Sequence, residues 1–212
     1  MKEHDMKLTI VLAAAMTALA SNAQADNEEL LFAEPFDGKL ADGWTWLRED
    51  KADWRIADGA LEIRARPGDA NSVRNALLRP LPEADGAGLA IEVTVVFAAD
   101  LTQQFEQAGI TWYADGAPVF KLVHERIDGD YYIIPGRVPA KAKTVRLRLE
   151  VKDKKYTAKF REEGAEAYQV AAEGDIAPGK ENQISIQTYH GPADADHWMQ
   201  FREFKILKTP TE

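Results

Sequence analysis

The chain has 212 residues, a formal net charge of −9 and no cysteine. The lack of cysteine excludes disulfides, thiol catalysis, Cys-ligated zinc and iron–sulfur clusters. An acidic chain with scattered lysines also lacks the basic surface of a nucleic-acid-binding protein, so we expect no nucleic-acid partner.

Residues 1–25 have the features of a secretory signal peptide. "MKEHDMK" supplies lysines, "LTIVLAAAMTALA" is apolar, and "SNAQA" has the A-x-A pattern that predicts cleavage after Ala25, with Ala23 as the alternative. A membrane anchor is the competing interpretation, but the apolar run is shorter than the roughly 20 residues that span a bilayer. We therefore expect a secreted or periplasmic protein, free of the membrane after cleavage, with one domain over residues 26–212.

The rest of the chain is dominated by period-two alternation, which is typical of half-buried β-strands. "WRIADGALEIRAR" predicts a hairpin that turns at Asp58-Gly59, and "TVRLRLEVKDKKYTAKF" predicts another that turns near Asp153-Lys154. "LAIEVTVVF" and "NQISIQTYH" alternate in the same way. Roughly a dozen such strands, separated by Gly, Pro, Asp or Asn, predict an all-β sandwich. We expect the last strand, about 198–207, beside the first, about 30–36.

Two strands in "EQAGITWYADGAPVFKLVHE" have one apolar and one polar face each. The consistent register buries Ile110, Trp112, Phe120 and Leu122 and exposes Gln107, Thr111, Lys121 and Glu125. In the same register His124 is buried, which requires a partner for its ring.

The exposed sheet face could also collect polar residues from other strands, although the pattern does not tell which strands are neighbours. These residues are Glu92, Thr94, Ser185, Gln187 and Tyr189. Amides, carboxylates and a lysine suit a hydroxyl-rich ligand, and Tyr189 or Trp198 could offer a platform for a sugar ring. The alternative is an ordinary solvated sheet face with cross-strand charge pairs.

"QAGITWYADGAPVFKLVHE" resembles the signature of a bacterial concanavalin A-like lectin/glucanase domain family of uncharacterised function. Related domains follow the catalytic module in some β-xylosidases. "GWTWLRED", "WRIADGALEIRA" and "TVRLRLEVKDKKYTAKFREEG" extend the resemblance over about 30–207. The resemblance implies a two-sheet antiparallel jelly roll whose concave face often binds carbohydrate.

The family pattern carries Gln107, Lys121 and Glu125 over as ligand-binding residues. For a glycan bound on this face, Arg74, Tyr189 and Trp198 are rim candidates. This chain departs from the pattern in two places. A tryptophan is expected near Val119, and "GDANSVRNALLR" has no aromatic residue where the pattern expects one.

Signals for catalysis are weak. Glycoside hydrolysis generally needs two carboxylates, and the Glu-x-Asp-x-x-Glu string of related glucanases is absent. Glu125 could pair with Glu92 if their strands are adjacent, whereas Glu106 falls on the buried side of its strand. We therefore assign no catalytic residue.

Metal signals are also weak. The loop "HGPADADHW" could supply zinc, manganese or calcium ligands, but turn chemistry explains it better. The resemblance adds a structural calcium near Glu34 and Asp37, and we expect no other cofactor.

Three functions follow from these observations. The first is an exported, lectin-like domain that binds a glycan or polysaccharide on its concave sheet. The second is a secreted glycoside hydrolase or lyase of the same fold that uses Glu125 and a second carboxylate. The third is a non-catalytic scaffold whose sheet face meets a protein.

Overall fold

The computed structural model describes residues 28–210 and consists almost entirely of antiparallel strands. The predicted signal peptide lies outside the described residues. In chain order the strands are β1 (Glu29–Glu34), β2 (Thr45–Leu47), β3 (Trp54–Ala57), β4 (Ala60–Arg64), β5 (Ala76–Pro80), β6 (Gly88–Phe97), β7 (Gln107–Ala114), β8 (Ala117–Ile127), β9 (Asp130–Ile134), β10 (Val138–Pro139), β11 (Thr144–Lys152), β12 (Lys155–Glu162), β13 (Gln169–Asp175), β14 (Asn182–Tyr189) and β15 (Trp198–Thr209). A single turn of 3-10 helix at Lys51–Asp53 precedes β3.

The strands form two sheets that pack face to face, which confirms the predicted sandwich. Sheet A has the order β13-β12-β11-β6-β15-β4-β3, with β1 also paired to β15. Sheet B has the order β10-β9-β8-β7-β14-β5-β2. The core lies between them, where alternate residues of each strand interdigitate.

The predicted strand faces are confirmed in both sheets. Ile91 and Val93 of β6 and Leu147 of β11 face the core from sheet A, and each is fully buried. Ile110 and Leu122 face it from sheet B and are also fully buried. Period two in the sequence therefore identifies the buried side of these strands.

Both predicted hairpins are confirmed. β3 pairs with β4 around Asp58-Gly59, whose φ angles are 51° and 69°. β11 pairs with β12 around Asp153-Lys154, whose φ angles are 48° and 66°. Two consecutive positive φ angles are the geometry of the tight turns that match strand twist.

The first and last strands lie side by side, as predicted. β1 runs antiparallel to β15, and Glu29 lies opposite Lys208. The edge strand β1 is thereby anchored to the longest strand of sheet A.

His124 is fully buried, and one nitrogen of its ring has the required partner, whereas Nδ1 has none among the described residues. Nε2 lies 3.1 Å from the carbonyl oxygen of Ala140, and the ring stacks on Phe97 with centroids 4.4 Å apart. Burial lowers the pKa of His124 to about 4, although the bond to Ala140 acts in the opposite direction. The ring is therefore neutral and donates from Nε2 at neutral pH.

Candidate functional site

The polar residues predicted to share a face do so on the side of sheet B that points away from sheet A. Strands β8, β7 and β14 are neighbours in this sheet. Gln107 lies opposite Glu125 on one side and Tyr189 on the other. Thr111 likewise lies between Lys121 and Ser185. We call this surface the outer face of sheet B.

Lys121 connects the polar side chains of this face. Its Nζ donates to Gln107 Oε1 at 2.7 Å and to Glu125 Oε2 at 3.0 Å. The Gln107 amide nitrogen in turn donates to the carbonyl oxygen of Phe105 at 2.7 Å. The lysine side chain is 34% exposed, so its ammonium group can be reached from solvent.

The prediction that these side chains are exposed is wrong for most of them. Gln107 and Thr111 are each 1% exposed, Glu125 is 5% exposed and Tyr189 is 2% exposed. Lys121 bonds to two of these side chains, and a loop described below packs beside Tyr189. The outer face of sheet B, which no second sheet covers, is therefore shielded from solvent by Lys121 and by this loop.

Three adjacent polar atoms on this face have no hydrogen-bond partner among residues 28–210. They are Thr111 Oγ1, Gln187 Nε2 and the Tyr189 hydroxyl. The Gln187 carbonyl is engaged, because it accepts from Tyr113 at 3.0 Å and from Ser185 at 2.9 Å. An unpaired buried polar group costs about 1–3 kcal/mol, so three together call for a functional explanation.

The Tyr189 hydroxyl keeps its proton. Burial is the main cause of its raised pKa, and the nearby charge of Glu125 acts in the same direction. Thr111 and Gln187 lie close enough to this hydroxyl to act in the opposite direction and lower its pKa, although none of the three polar atoms reaches full hydrogen-bond geometry with another. Tyr189 can therefore both donate to and accept from a ligand hydroxyl.

The loop over residues 65–75 closes the β14–β5 side of the face. Its Val73 belongs to a small buried cluster with Tyr113 and Tyr189, separate from the main core. Arg48 fixes the loop by donating to the carbonyl oxygen of Val73 at 2.6 Å and to that of Asn71 at 2.6 Å.

Arg74, a predicted rim residue, lies on this loop. Its side chain is 61% exposed, and its guanidinium lies 3.7 Å from a carboxylate oxygen of Asp50. The next residue, Asn75, accepts from the Asp50 backbone at 2.7 Å, and its own amide nitrogen is buried without a partner within the described chain.

Phe105 and His190 border the open side of the face, and the sequence did not identify either as a site residue. Their ring centroids are 6.3 Å apart, and Phe105 is 45% exposed. Burial, with the charge of Lys121, lowers the pKa of His190, while Glu125 and Asp69 oppose the shift. Their position could have indicated a role, since Phe105 lies two residues before the start of β7 and His190 directly follows the last residue of β14.

Glu92 lies in the other sheet and cannot form the cross-strand pair with Glu125. It belongs to β6 in sheet A, where it accepts from Arg146 at 3.0 Å, Arg148 at 2.7 Å and Tyr168 at 3.0 Å. Alternation shows which residues share a side of a strand, but it does not show which sheet the strand joins.

Trp198 is also remote from the outer face of sheet B. It begins β15 in sheet A, and the guanidinium of Arg55 lies 4.3 Å from its ring centroid. Its place in the predicted rim is therefore wrong, whereas Tyr189 lies on the predicted face.

Glu106 is fully buried, as its position in the alternation predicted. One carboxylate oxygen accepts from the backbone of Thr102 and Gln103, and the other lies 2.7 Å from His197 Nδ1. In the same loop, Asp196 pairs with Arg64. These contacts join the ends of β7 and β15 and give Glu106 a structural role.

No group of three or more His, Asp or Glu suited to a metal ion occurs in the described part of the chain. Glu34 instead accepts from the backbone of Phe36 and Ala41 and from the Trp44 indole nitrogen. The calcium expected near Glu34 and Asp37 stays a prediction.

A surface depression of about 330 Å³ lies on the far side of sheet A. Its lining includes Arg146 and Glu203, which pair with one another at 2.6 Å. Because these two charges satisfy each other, the unpaired polar atoms of sheet B indicate a ligand site better.

No helix in the described region is long and apolar enough to cross a membrane.

No protein-family model matches the chain, and no curated protein matches it in sequence. The fold resembles that of the GH43 protein BlXynB from Bacillus licheniformis, with a TM-score of 0.64 and 18% identity over 82% of this chain and 39% of that one. It also resembles a xylan β-1,4-xylosidase from Bacillus halodurans, with a TM-score of 0.62 and 16% identity over 82% of this chain and 38% of that one. The present chain thus spans about two-fifths of these two proteins.

A third similar structure is nearly matched over its whole length. It is the CBM2 module of the evolved Dit protein of Lactobacillus casei BL23 phage J-1, with a TM-score of 0.63 and 7% identity over 87% of this chain and 97% of that one. At these identities the comparisons show a shared β-sandwich fold.

Proposed function

We propose that this protein is an exported, non-catalytic module that binds a glycan on the outer face of sheet B. The observation that carries the proposal is the row of buried, unpaired polar atoms beside the Lys121–Gln107–Glu125 group. Such a face has donors and acceptors ready for a ligand, because the protein does not satisfy them itself.

The chemistry of the row suits hydroxyl groups. Lys121 uses two of its three N–H bonds for Gln107 and Glu125, which leaves one for a ligand. A sugar hydroxyl can donate and accept at once, which matches the Thr111 and Tyr189 hydroxyls. The exposed ring of Phe105 adds an apolar surface against which a sugar ring can pack.

The arrangement around Glu125 favours binding over hydrolysis. Its cross-strand neighbours are Gln107 and Tyr132, and neither is a carboxylate. A glycosidase would need a second carboxyl group within about 5–9 Å. The similarity in fold to a CBM2 module and to parts of xylosidases agrees with a carbohydrate-related role.

The proposal is tested by incubating residues 26–212 with a panel of plant, algal and bacterial polysaccharides. Retention on the glycan and release of reducing ends are both recorded. We expect retention without release. Release of reducing ends that Glu125→Gln abolishes would make the protein a hydrolase, and the absence of both signals would favour the protein scaffold.

Glu125→Gln is expected to weaken retention roughly tenfold or more, since hydrogen bonds to charged groups contribute about 1.5–3 kcal/mol. The glutamine keeps an acceptor for Lys121 and the shape of the face. Glu203→Gln is the matched control, because Glu203 is also bonded to a cation but lies on sheet A. Affinity and thermal midpoint are measured for both variants, and equal affinities would contradict the site.

A further inference from the structure

The three unpaired atoms on the outer face of sheet B specify the chemistry of their ligand. Gln187 Nε2 can only donate, because it is an amide nitrogen, whereas the Thr111 and Tyr189 hydroxyls can donate and accept. The three side chains are 0%, 1% and 2% exposed, in that order. None of the three groups carries a charge at neutral pH.

The charges around this face are already paired within the protein. Lys121 and Glu125 neutralise each other, and Arg74 faces Asp50. Arg66 donates twice to Asp53 at 2.7 Å, and Arg48 donates to loop carbonyls. Of these cations only Arg48 has no carboxylate partner, and its guanidinium is held by the loop carbonyls. The face therefore offers little positive charge to an anionic sugar, and the net charge of −9 opposes a polyanion.

We propose that the ligand is a neutral saccharide, and that its hydroxyl groups pair with Thr111, Gln187 and Tyr189 in an inner subsite beneath Lys121. This inference rests on the proposed glycan-binding function and adds the class of glycan. Lys121 is the movable cover, since it is one-third exposed and its Nζ lies 5.9 Å from the centroid of the Tyr189 ring. A neutral sugar gains the three hydrogen bonds without leaving a carboxylate unpaired in a buried site.

Tyr189→Phe and Thr111→Val separate a ligand role from a structural one. Each removes a hydroxyl that has no protein partner and keeps the shape of the side chain. The thermal midpoint is expected to stay equal or rise, because an unpaired buried group disappears. Affinity for a neutral oligosaccharide is expected to fall about threefold to tenfold for each variant, the value of one hydrogen bond.

Tyr113→Phe is the control for the stability readout. Its hydroxyl does have a protein partner, Gln187 at 3.0 Å, so its removal is expected to lower the midpoint. A Tyr189→Phe protein that binds a neutral glycan within twofold of the unaltered chain would overturn the inner subsite.

The class of ligand is tested by calorimetry with two matched sets of oligosaccharides. Neutral xylo- and gluco-oligosaccharides form one set, and oligogalacturonates and alginate oligosaccharides of equal length form the other. Binding of the neutral set alone, weakened by Tyr189→Phe, supports the inference. Binding of the uronate set alone, or of both sets equally, overturns the neutral class and leaves the glycan-binding function standing. If neither set binds, the inference fails, and the polysaccharide panel decides separately whether the glycan-binding function stands.

Discussion

Trp112→Ala is expected to lower the free energy of unfolding by about 3–5 kcal/mol, the typical cost of truncating a buried aromatic side chain. Trp112 is 4% exposed and packs into the main core from β7. Its indole nitrogen donates to Asn182 at 3.1 Å, and Asn182 also holds the backbone of Gly179. The substitution therefore leaves a cavity and removes a hydrogen bond that joins β7 to β14.

Urea denaturation of both proteins measures this loss. Trp198→Ala is the matched control, because Trp198 is half-buried on the outer side of sheet A and contacts Arg55. For Trp198→Ala we expect the lost cation–π contact to lower the free energy of unfolding by about 1 kcal/mol or less, in addition to the contribution of the partly buried ring surface. A loss below about 1 kcal/mol for Trp112→Ala would contradict its place in the core.

Acidification is expected to destabilise the fold through His124. The unfolded chain binds a proton at this residue near pH 6.5, but in the folded state the pKa is lowered to about 4. Stability is therefore lost as the pH falls from about 7 to about 4, because only the unfolded state takes up the proton in this window. The expected loss is about 3 kcal/mol, at about 1.4 kcal/mol for each pKa unit.

This pH dependence is measured by urea denaturation at several values between pH 7 and pH 5, a range in which about 2 kcal/mol of the loss should appear. Glu92 does not add to the slope in that range. Burial raises its pKa, but the hydrogen bond from Arg148 and the charges of Arg146 and Arg148 outweigh burial and hold the pKa below its usual value. The Glu92 carboxylate therefore keeps its charge until the pH falls below the usual pKa of a glutamate side chain.

His124→Phe should remove most of the slope, since phenylalanine stacks on Phe97 and does not titrate. His190→Gln is the control at a less buried histidine and should leave most of the slope in place. A slope that is unchanged in His124→Phe would show that other groups cause the acid sensitivity.

The class of fold and the face of each main strand were predictable because both depend on local pattern. The alternation around Ile110 and Leu122 places one side of the strand in the core wherever the strand is paired. The turns at Asp58-Gly59 and Asp153-Lys154 were predictable because each joins two consecutive strands that pair with one another.

The sheet to which a strand belongs was not predictable from alternation. Glu92 and Glu125 both lie on the solvent side of amphipathic strands, yet their strands are in different sheets. Contacts between distant parts of the chain decide this assignment, and a local pattern does not record them.

The burial of the polar face was not predictable for a related reason. Gln107 and Glu125 are bonded to Lys121, and Tyr189 packs against a loop whose position depends on Arg48, far away in the chain. The unpaired atoms of Thr111 and Tyr189 arise only once this cover is in place, so the strongest signal for a ligand exists in the fold and not in the sequence.

The pairing of β1 with β15 has a mechanical consequence. Glu29 and Lys208 face each other, so a force that pulls these two residues apart acts along the hydrogen bonds of the strand pair. The bonds would then break one after another, as in the opening of a zipper, and would not share the load in shear. We expect a force applied to Glu29 and Lys208 to peel β1 away at low force while the strands of sheet B stay folded.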